Sequence, residues 1–67
     1  MTLRQISQLP NGPEKAKSYA IEGLLTDGAH HKQWFFEQIL ISLGVNLTEM
    51  REELNKEDYD WEPGIPP

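Results

Sequence analysis

The sequence predicts an all-α fold, a small bundle of three helices or four with a non-helical C-terminal tail packed on it. Apolar residues recur at helical spacing in two long stretches, Pro and Gly residues separate the stretches, and no segment has the alternation of a strand. The 67 residues are interpreted as one domain. It comprises an N-terminal arm or short helix over 1–12, a helical core over 13–57 and an acidic-aromatic tail over 58–67.

The first element is either a short helix or an extended arm. Thr2 and Gln5 have the spacing of a capping box, which favours a helix. The apolar residues that follow recur every three positions, as in one or two helical turns, and an extended arm fits them nearly as well: Leu3, Ile6 and Leu9. The segment 10–13 then breaks the chain, since proline restricts the residue before it and lacks an N–H.

The first long helix is predicted from Pro13 to Leu25, because proline suits the first helical position. Its buried face follows the i, i+3, i+4, i+7, i+8 pattern: Ala16, Tyr19, Ala20, Gly23 and Leu24. Ile21 and Leu25 widen this face. The small side chains on it would let another helix approach closely.

The second long helix is predicted from Gly28 to Leu43, with Asp27 or alternatively Thr26 as its N-cap. Its main stripe is Phe35, Phe36, Ile39, Leu40 and Leu43, flanked by Trp34, Gln38 and Ile41. So wide an apolar sector favours a central position in the fold, or the use of one side for a second subunit. Gly44 is a natural end for this helix.

The third long helix is predicted to run to about Lys56. Asn46 and Glu49 resemble a capping box, and Val45 and Met50 have the spacing of a hydrophobic staple. Its expected inward side chains are Leu47, Met50 and Leu54, and its outward ones are Glu52, Glu53 and Glu57.

The predicted tail begins after this helix. The segment 62–65, Glu-Pro-Gly-Ile, fits a type II turn that would bring Trp61 close to Ile65, with both packed on the helices.

Composition limits both the stability and the partners of this chain. It has no cysteine, so a core of this size depends on helix packing, a partner or a homodimer. Residues 1–48 hold four basic and four acidic side chains, whereas 49–62 hold seven acidic and two basic ones and carry the whole net charge of −5. This distribution disfavours binding to nucleic acid.

No apolar run approaches the ~20 residues of a membrane span, and we expect no secretory signal and a cytoplasmic location.

The paired histidines are the most conspicuous candidate site. If Asp27 lies in the first helical turn, it shares a face with His31, and a carboxylate with imidazoles is a donor set for zinc. Neighbouring helical residues point about 100° apart, however, so His30 and His31 should not converge, and no fourth ligand is evident. We therefore expect no metal and no cofactor, with one histidine packed near Trp34.

No catalytic residue is predicted. His31 with Glu37 or with a tail carboxylate has the groups for acid–base chemistry, but so small a chain hardly encloses a pocket of about 300 Å³.

The tail alternates acidic and aromatic residues over 58–62. Tyr59 and Trp61 would serve as anchors on a basic, apolar groove of another protein. The interpretation that we favour instead packs both rings against this chain's own helices.

Residues 27–34 (DGAHHKQW) and 61–66 (WEPGIP) resemble segments of small uncharacterised bacterial and phage-type proteins. The resemblance covers roughly the second half of the chain. It implies no ligand and no catalytic role for any residue, but it favours treating the tail and the histidine-bearing helix as one unit.

The function that the sequence favours is a non-enzymatic protein-interaction or regulatory module, acting on an unidentified protein partner or as a homodimer. The alternative is a small-ligand or metal-binding module at the helix N-terminus. Its candidate binding residues are Asp27, His30, His31, Trp34, Tyr59 and Trp61.

Overall fold

The structure of the protein, a computed structural model, describes residues 1–56 and 62–67. These residues form four α-helices and no strand, so the all-α prediction is confirmed. The helices are α1 (Leu3–Ser7), α2 (Pro13–Leu25), α3 (Lys32–Ser42) and α4 (Leu47–Lys56), with a 3-10 helix over Ala29–His31 directly before α3. None of the described helices is long and apolar enough to cross a bilayer. The predictions for 57–61, which include Glu57, Tyr59 and Trp61, lie outside the described residues.

The N-terminal segment is a helix and not an extended arm. The Thr2 hydroxyl accepts the N–H of Gln5 at 3.2 Å, and the Gln5 side-chain oxygen accepts the N–H of Thr2 at 2.9 Å. This reciprocal capping box satisfies two N–H groups that the helix itself leaves unpaired. The short helix that it starts places Ile6 in the core, where its side chain is fully buried.

Helices α2 and α3 form a hairpin that is the centre of the fold. The Lys32 ammonium donates to the carbonyl of Gly23, and the Thr26 hydroxyl donates to that of Glu22 at 2.7 Å. Both bonds satisfy carbonyl groups in the last turn of α2. These carbonyls have no N–H partner within the helix, because the helix ends there. The Lys32 bond also holds the start of α3 beside the end of α2.

The core is built around three buried side chains, Ile6, Tyr19 and Phe35. Partly buried apolar residues pack on them: Leu3, Leu9, Trp34 and Ile39. The Trp34 ring meets Tyr19 and Phe35 edge-on, with ring centroids 5.9 and 5.1 Å apart, an arrangement that aromatic pairs favour. Burial raises the pKa of the Tyr19 hydroxyl.

The predicted end of α3 and start of α4 are confirmed. Gly44 adopts φ +91°, and the N–H groups of Gly44 and Val45 donate to Ile41 and Leu40 carbonyls at 3.0 Å. This is a Schellman motif, which suits glycine because its left-handed residue carries no Cβ. The Asn46 side chain then accepts the N–H of Glu49 at 3.2 Å and caps α4.

Helix α4 contributes no fully buried side chain. The apolar residues that were expected to face inward are each partly buried: Leu47, Met50 and Leu54. The helix therefore packs at the edge of the domain.

The predicted apolar faces of α2 and α3 are only partly buried, which corrects the sequence-based core. Leu24 is 83% exposed and Phe36 64% exposed, and Leu25 and Leu43 are exposed as well. The periodicity correctly predicts which residues share a face of each helix, but the other described elements do not cover all of these faces. One apolar side of the hairpin is consequently open to solvent.

We expect Ile6→Val to lower the free energy of unfolding by about 0.5–1.5 kcal/mol, because it removes a methylene from a fully buried site. Urea denaturation followed by circular dichroism measures the change. Arg4→Ala, at an exposed position of the same helix, is the control and should stay within about 0.5 kcal/mol of wild type. Equal losses for the two variants would contradict the docking of α1 in the core.

Candidate functional site

The entrance of α3 differs from the prediction. Gly28 precedes the 3-10 helix, and His31 occupies the N-cap position of α3 without a side-chain capping bond. Asp27 is exposed in the connection, and Thr26 completes α2 instead, so both predicted N-caps are wrong. The cause is the inserted 3-10 helix, which separates Asp27 from the N–H groups of α3. Asp27 and His31 therefore do not share a face of one helix.

The two histidine rings are in contact with each other. The centroids of His30 and His31 lie 3.9 Å apart with the ring planes at 50°, so the expectation that they point apart is wrong. Rotation of each side chain about its own bonds brings the rings together even though the residues are neighbours. Within the described residues, no group of three or more His, Asp and Glu side chains is placed to hold a metal ion.

Trp34 is half-buried, and the ring contacts found for it are with core residues rather than with a histidine. The expectation of a histidine packed near Trp34 receives no support from these ring contacts. Trp34 links α3 to α2 through the Tyr19 ring.

The polar side of α3 holds the C-terminal tail through a buried carboxylate. Glu37 is 6% exposed, and both of its carboxylate oxygens lie 3.0 Å from the backbone nitrogen of Gly64. The Gln33 amide donates to Glu37 at 3.1 Å and also to the carbonyl of Glu62. A carboxylate removed from water needs such donors to offset its desolvation.

His31 completes this contact. Its Nδ1 lies 3.1 Å from the carbonyl of Ile65, and because a carbonyl can only accept, Nδ1 carries the proton of this bond. We call the three side chains His31, Gln33 and Glu37 the tail clasp. Their bonds to the described tail residues, 62–67, go to backbone atoms, so this contact depends on the path of the chain there rather than on its side chains.

Gly64 is required by close approach and not by a turn. A Cβ built on Gly64 would lie 2.4 Å from the backbone nitrogen of Trp34 and 2.8 Å from its Cα. The type II turn predicted over 62–65 is wrong, because Gly64 lacks the positive φ that this turn needs and the segment has no turn structure. The tail instead runs directly against the backbone of α3.

Sequence reasoning missed Glu37 and Gln33 as binding residues. A signal was present, since Glu37 is the single charged residue within the apolar stretch 34–43. A carboxylate there must be either exposed or supplied with donors, and the structure supplies them. Glu37 and His31, which the sequence suggests as an acid–base pair, each form a hydrogen bond with the backbone of the tail.

A second feature lies on the open apolar side of the hairpin. There α2 and α3 enclose a groove of about 220 Å³, which we call the α2–α3 groove. It is lined by Ala20, Gly23, Leu24, Lys32, Phe35, Phe36 and Ile39. Lys32 contributes its aliphatic stem, and its ammonium is bound to the Gly23 carbonyl. The groove therefore offers a partner an almost wholly apolar surface.

Comparison of the chain with protein-family models, with curated proteins and with solved structures finds no match. The tail clasp and the α2–α3 groove are therefore the features from which a function can be inferred.

We expect Gly64→Ala to release the tail from α3, because the added methyl would collide with backbone atoms that cannot turn aside. The measurement is NMR. In the variant, the backbone amide of residue 64 should exchange its hydrogen with solvent faster than in wild type, and the His31 ring resonances should shift. Pro66→Ala, at an exposed tail position, is the control. An undisturbed His31 ring in Gly64→Ala would contradict the close approach.

Proposed function

We propose that this protein is a non-enzymatic protein-interaction module that binds an apolar helix face through the α2–α3 groove. The observation that carries the proposal is the exposure of Leu24 and Phe36 beside this groove. Scattered exposed apolar side chains are ordinary on a protein surface, but here they adjoin one apolar depression.

The size of the groove supports a side-chain anchor rather than a small-molecule ligand. Its volume of about 220 Å³ is below the ~300 Å³ at which ligand pockets begin. A cavity of about 150 Å³ is enough to hold a benzene ring. One large apolar side chain from a partner helix therefore fits, as in other complexes where a helix lies in a groove.

The energetics favour the same kind of contact. Complete burial of an exposed Leu or Phe contributes ~1.5–3 kcal/mol, so Leu24 and Phe36 are suited to act as anchors. The Lys32 ammonium already donates a hydrogen bond to the Gly23 carbonyl. It would therefore keep an acceptor when a partner covers the groove.

The alternative function, a ligand or metal module at the histidines, has no supporting observation among the described residues. Asp27 is outside the helix, and the contact found for the His31 Nδ1 is with the tail.

We expect Leu24→Glu to abolish capture of a groove partner, since it places a carboxylate where an apolar contact forms. Wild type and variant are immobilised separately, exposed to lysate of the native host, and the retained proteins are quantified by mass spectrometry. Leu25→Glu is the matched control: it makes the same change at the next residue, which is 74% exposed and does not line the groove. A partner must be retained by wild type and by Leu25→Glu and lost with Leu24→Glu. Retention of the same proteins by all three baits would contradict the proposal.

A further inference from the structure

We infer that the tail clasp is a binding site for a Pro-Gly segment of another protein, and that the chain's own tail occupies this site in the free molecule. The clasp and the α2–α3 groove lie on different faces of α3, so this site is additional to the one in the proposed function. Three observations carry it: the pattern of backbone bonds, the lack of space at Gly64 and the exposure of the tail.

The backbone bonds define the class of ligand. The clasp donates to the carbonyls of Glu62 and Ile65 and accepts the N–H of Gly64. Pro63 lies between the first two of these positions and has no N–H that would need a partner. It also fixes its own φ and favours an extended conformation for the residue before it, which lowers the entropy lost on binding. A ligand of the clasp is therefore a segment with Pro-Gly at its centre, bound through backbone atoms.

The lack of space at Gly64 supplies specificity. A Cβ at this position would lie 2.8 Å from Cα of Trp34 and 2.9 Å from the carbonyl carbon of Gln33. Both atoms belong to the backbone of α3, which cannot turn aside as a flexible side chain can. Glycine at this position is therefore the feature by which the clasp distinguishes one segment from another.

The described tail lies on the surface of the protein. Gly64 is partly buried, whereas the residues on either side of it are exposed, Ile65 by 59%. Side chains at these neighbouring positions contribute little to the contact, so a different segment can carry other side chains there. In binding sites for extended peptides, main-chain hydrogen bonds likewise supply the affinity.

The buried carboxylate favours an occupied clasp. Glu37 is 6% exposed, and both of its oxygens accept the N–H of Gly64. When the chain's own tail leaves, this donor is lost, and a segment that brings an N–H to the same place restores it. The clasp is therefore a site that an incoming segment stabilises.

The source of the segment is a different protein rather than a second copy. Exchange of tails between two copies would replace each bond by an identical one and would also cost the entropy of association. The chain's own tail competes as a linked segment, whose effective concentration reaches the millimolar range. A different protein can add contacts of its own outside the clasp and so displace the tail.

The experiment is a peptide titration of the whole chain with Gly64→Ala, in which we expect the tail to leave the clasp. The probe is Glu-Pro-Gly-Ile-Pro-Pro, the sequence of residues 62–67, acetylated and amidated so that it adds no terminal charges. It is added from about 0.1 mM to about 30 mM, a range that includes the effective concentration of a linked segment. We expect saturable NMR shifts of the His31 ring and the Gln33 side-chain amide towards their wild-type positions. Circular dichroism establishes that the variant is folded.

Two matched comparisons test whether the peptide occupies the clasp. The same peptide with alanine in place of glycine should bind at least about 10-fold more weakly, because its methyl group meets the backbone of α3. Adding His31→Ala to the receptor should weaken binding of the glycine peptide about 2–12-fold, as expected for one hydrogen bond. His30→Ala is the control, since His30 has no hydrogen bond to residues 62–67. Equal binding of the two peptides would overturn the inference, and so would the absence of a saturable shift.

The wild-type chain supplies a readout that does not depend on the variant. An excess of the glycine peptide should speed hydrogen exchange of the chain's own Gly64 amide, because the displaced tail loses the Glu37 acceptor. The alanine peptide should leave that exchange unchanged. A Gly64 amide that is insensitive to the glycine peptide at about 30 mM, well above the effective concentration of a linked segment, would contradict displacement.

Sedimentation separates the two sources of the segment. We expect the wild-type chain to keep its monomer mass of 7.7 kDa up to about 1 mM, a range that covers weak dimers. A dimer that dissociates with Gly64→Ala would overturn the assignment to a different protein, because the segment would then come from a second copy.

Discussion

The close contact between Gly23 and Phe35 is the constraint on which the rest of the structure depends. A Cβ on Gly23 would lie 3.1 Å from Cγ of Phe35, so the missing side chain is what lets α3 lie this near to α2. That approach buries Phe35 to 2% exposure beside Ile6 and Tyr19 and so forms the core. The same two residues also line the α2–α3 groove. Core and groove are therefore two consequences of one helix–helix contact.

The second constraint is polar, and it explains why the tail belongs to the fold. Glu37 has lost most of its contact with water, and Gly64 supplies the backbone N–H that its carboxylate needs. Ile65 stays exposed, so the docking of the described tail depends on hydrogen bonds rather than on apolar burial. Loss of the tail would leave Glu37 with the Gln33 amide and water as its hydrogen-bond donors. The resulting loss of stability would depend on how readily water reaches the carboxylate.

Features that depend on residues close together in the sequence could be predicted, whereas features that depend on contacts between distant residues could not. The caps at Thr2, Gly44 and Asn46 were predictable because each contact joins residues no more than five apart. Periodicity showed which residues of α2 and α3 share a face, but it carries no information on whether another element covers that face. Gly64 was assigned to a turn because its steric reason, the backbone of Trp34, is thirty residues away. Asp27 is not the N-cap of α3 for a related reason, since a 3-10 helix lies between α2 and α3 and no local signal predicts it.

Helix α3 contacts three different parts of the molecule: the core, the C-terminal tail and the α2–α3 groove. Phe35 and Ile39, four residues apart, face the core. Gln33 and Glu37 form a second face, which holds the tail. Lys32 and Phe36 form a third, at the groove. Because the clasp and the groove lie on different faces, the docking of residues 62–67 leaves the groove accessible. Helix α3 thus serves the core and the groove with apolar side chains, while its one carboxylate, Glu37, is buried against the chain's own tail.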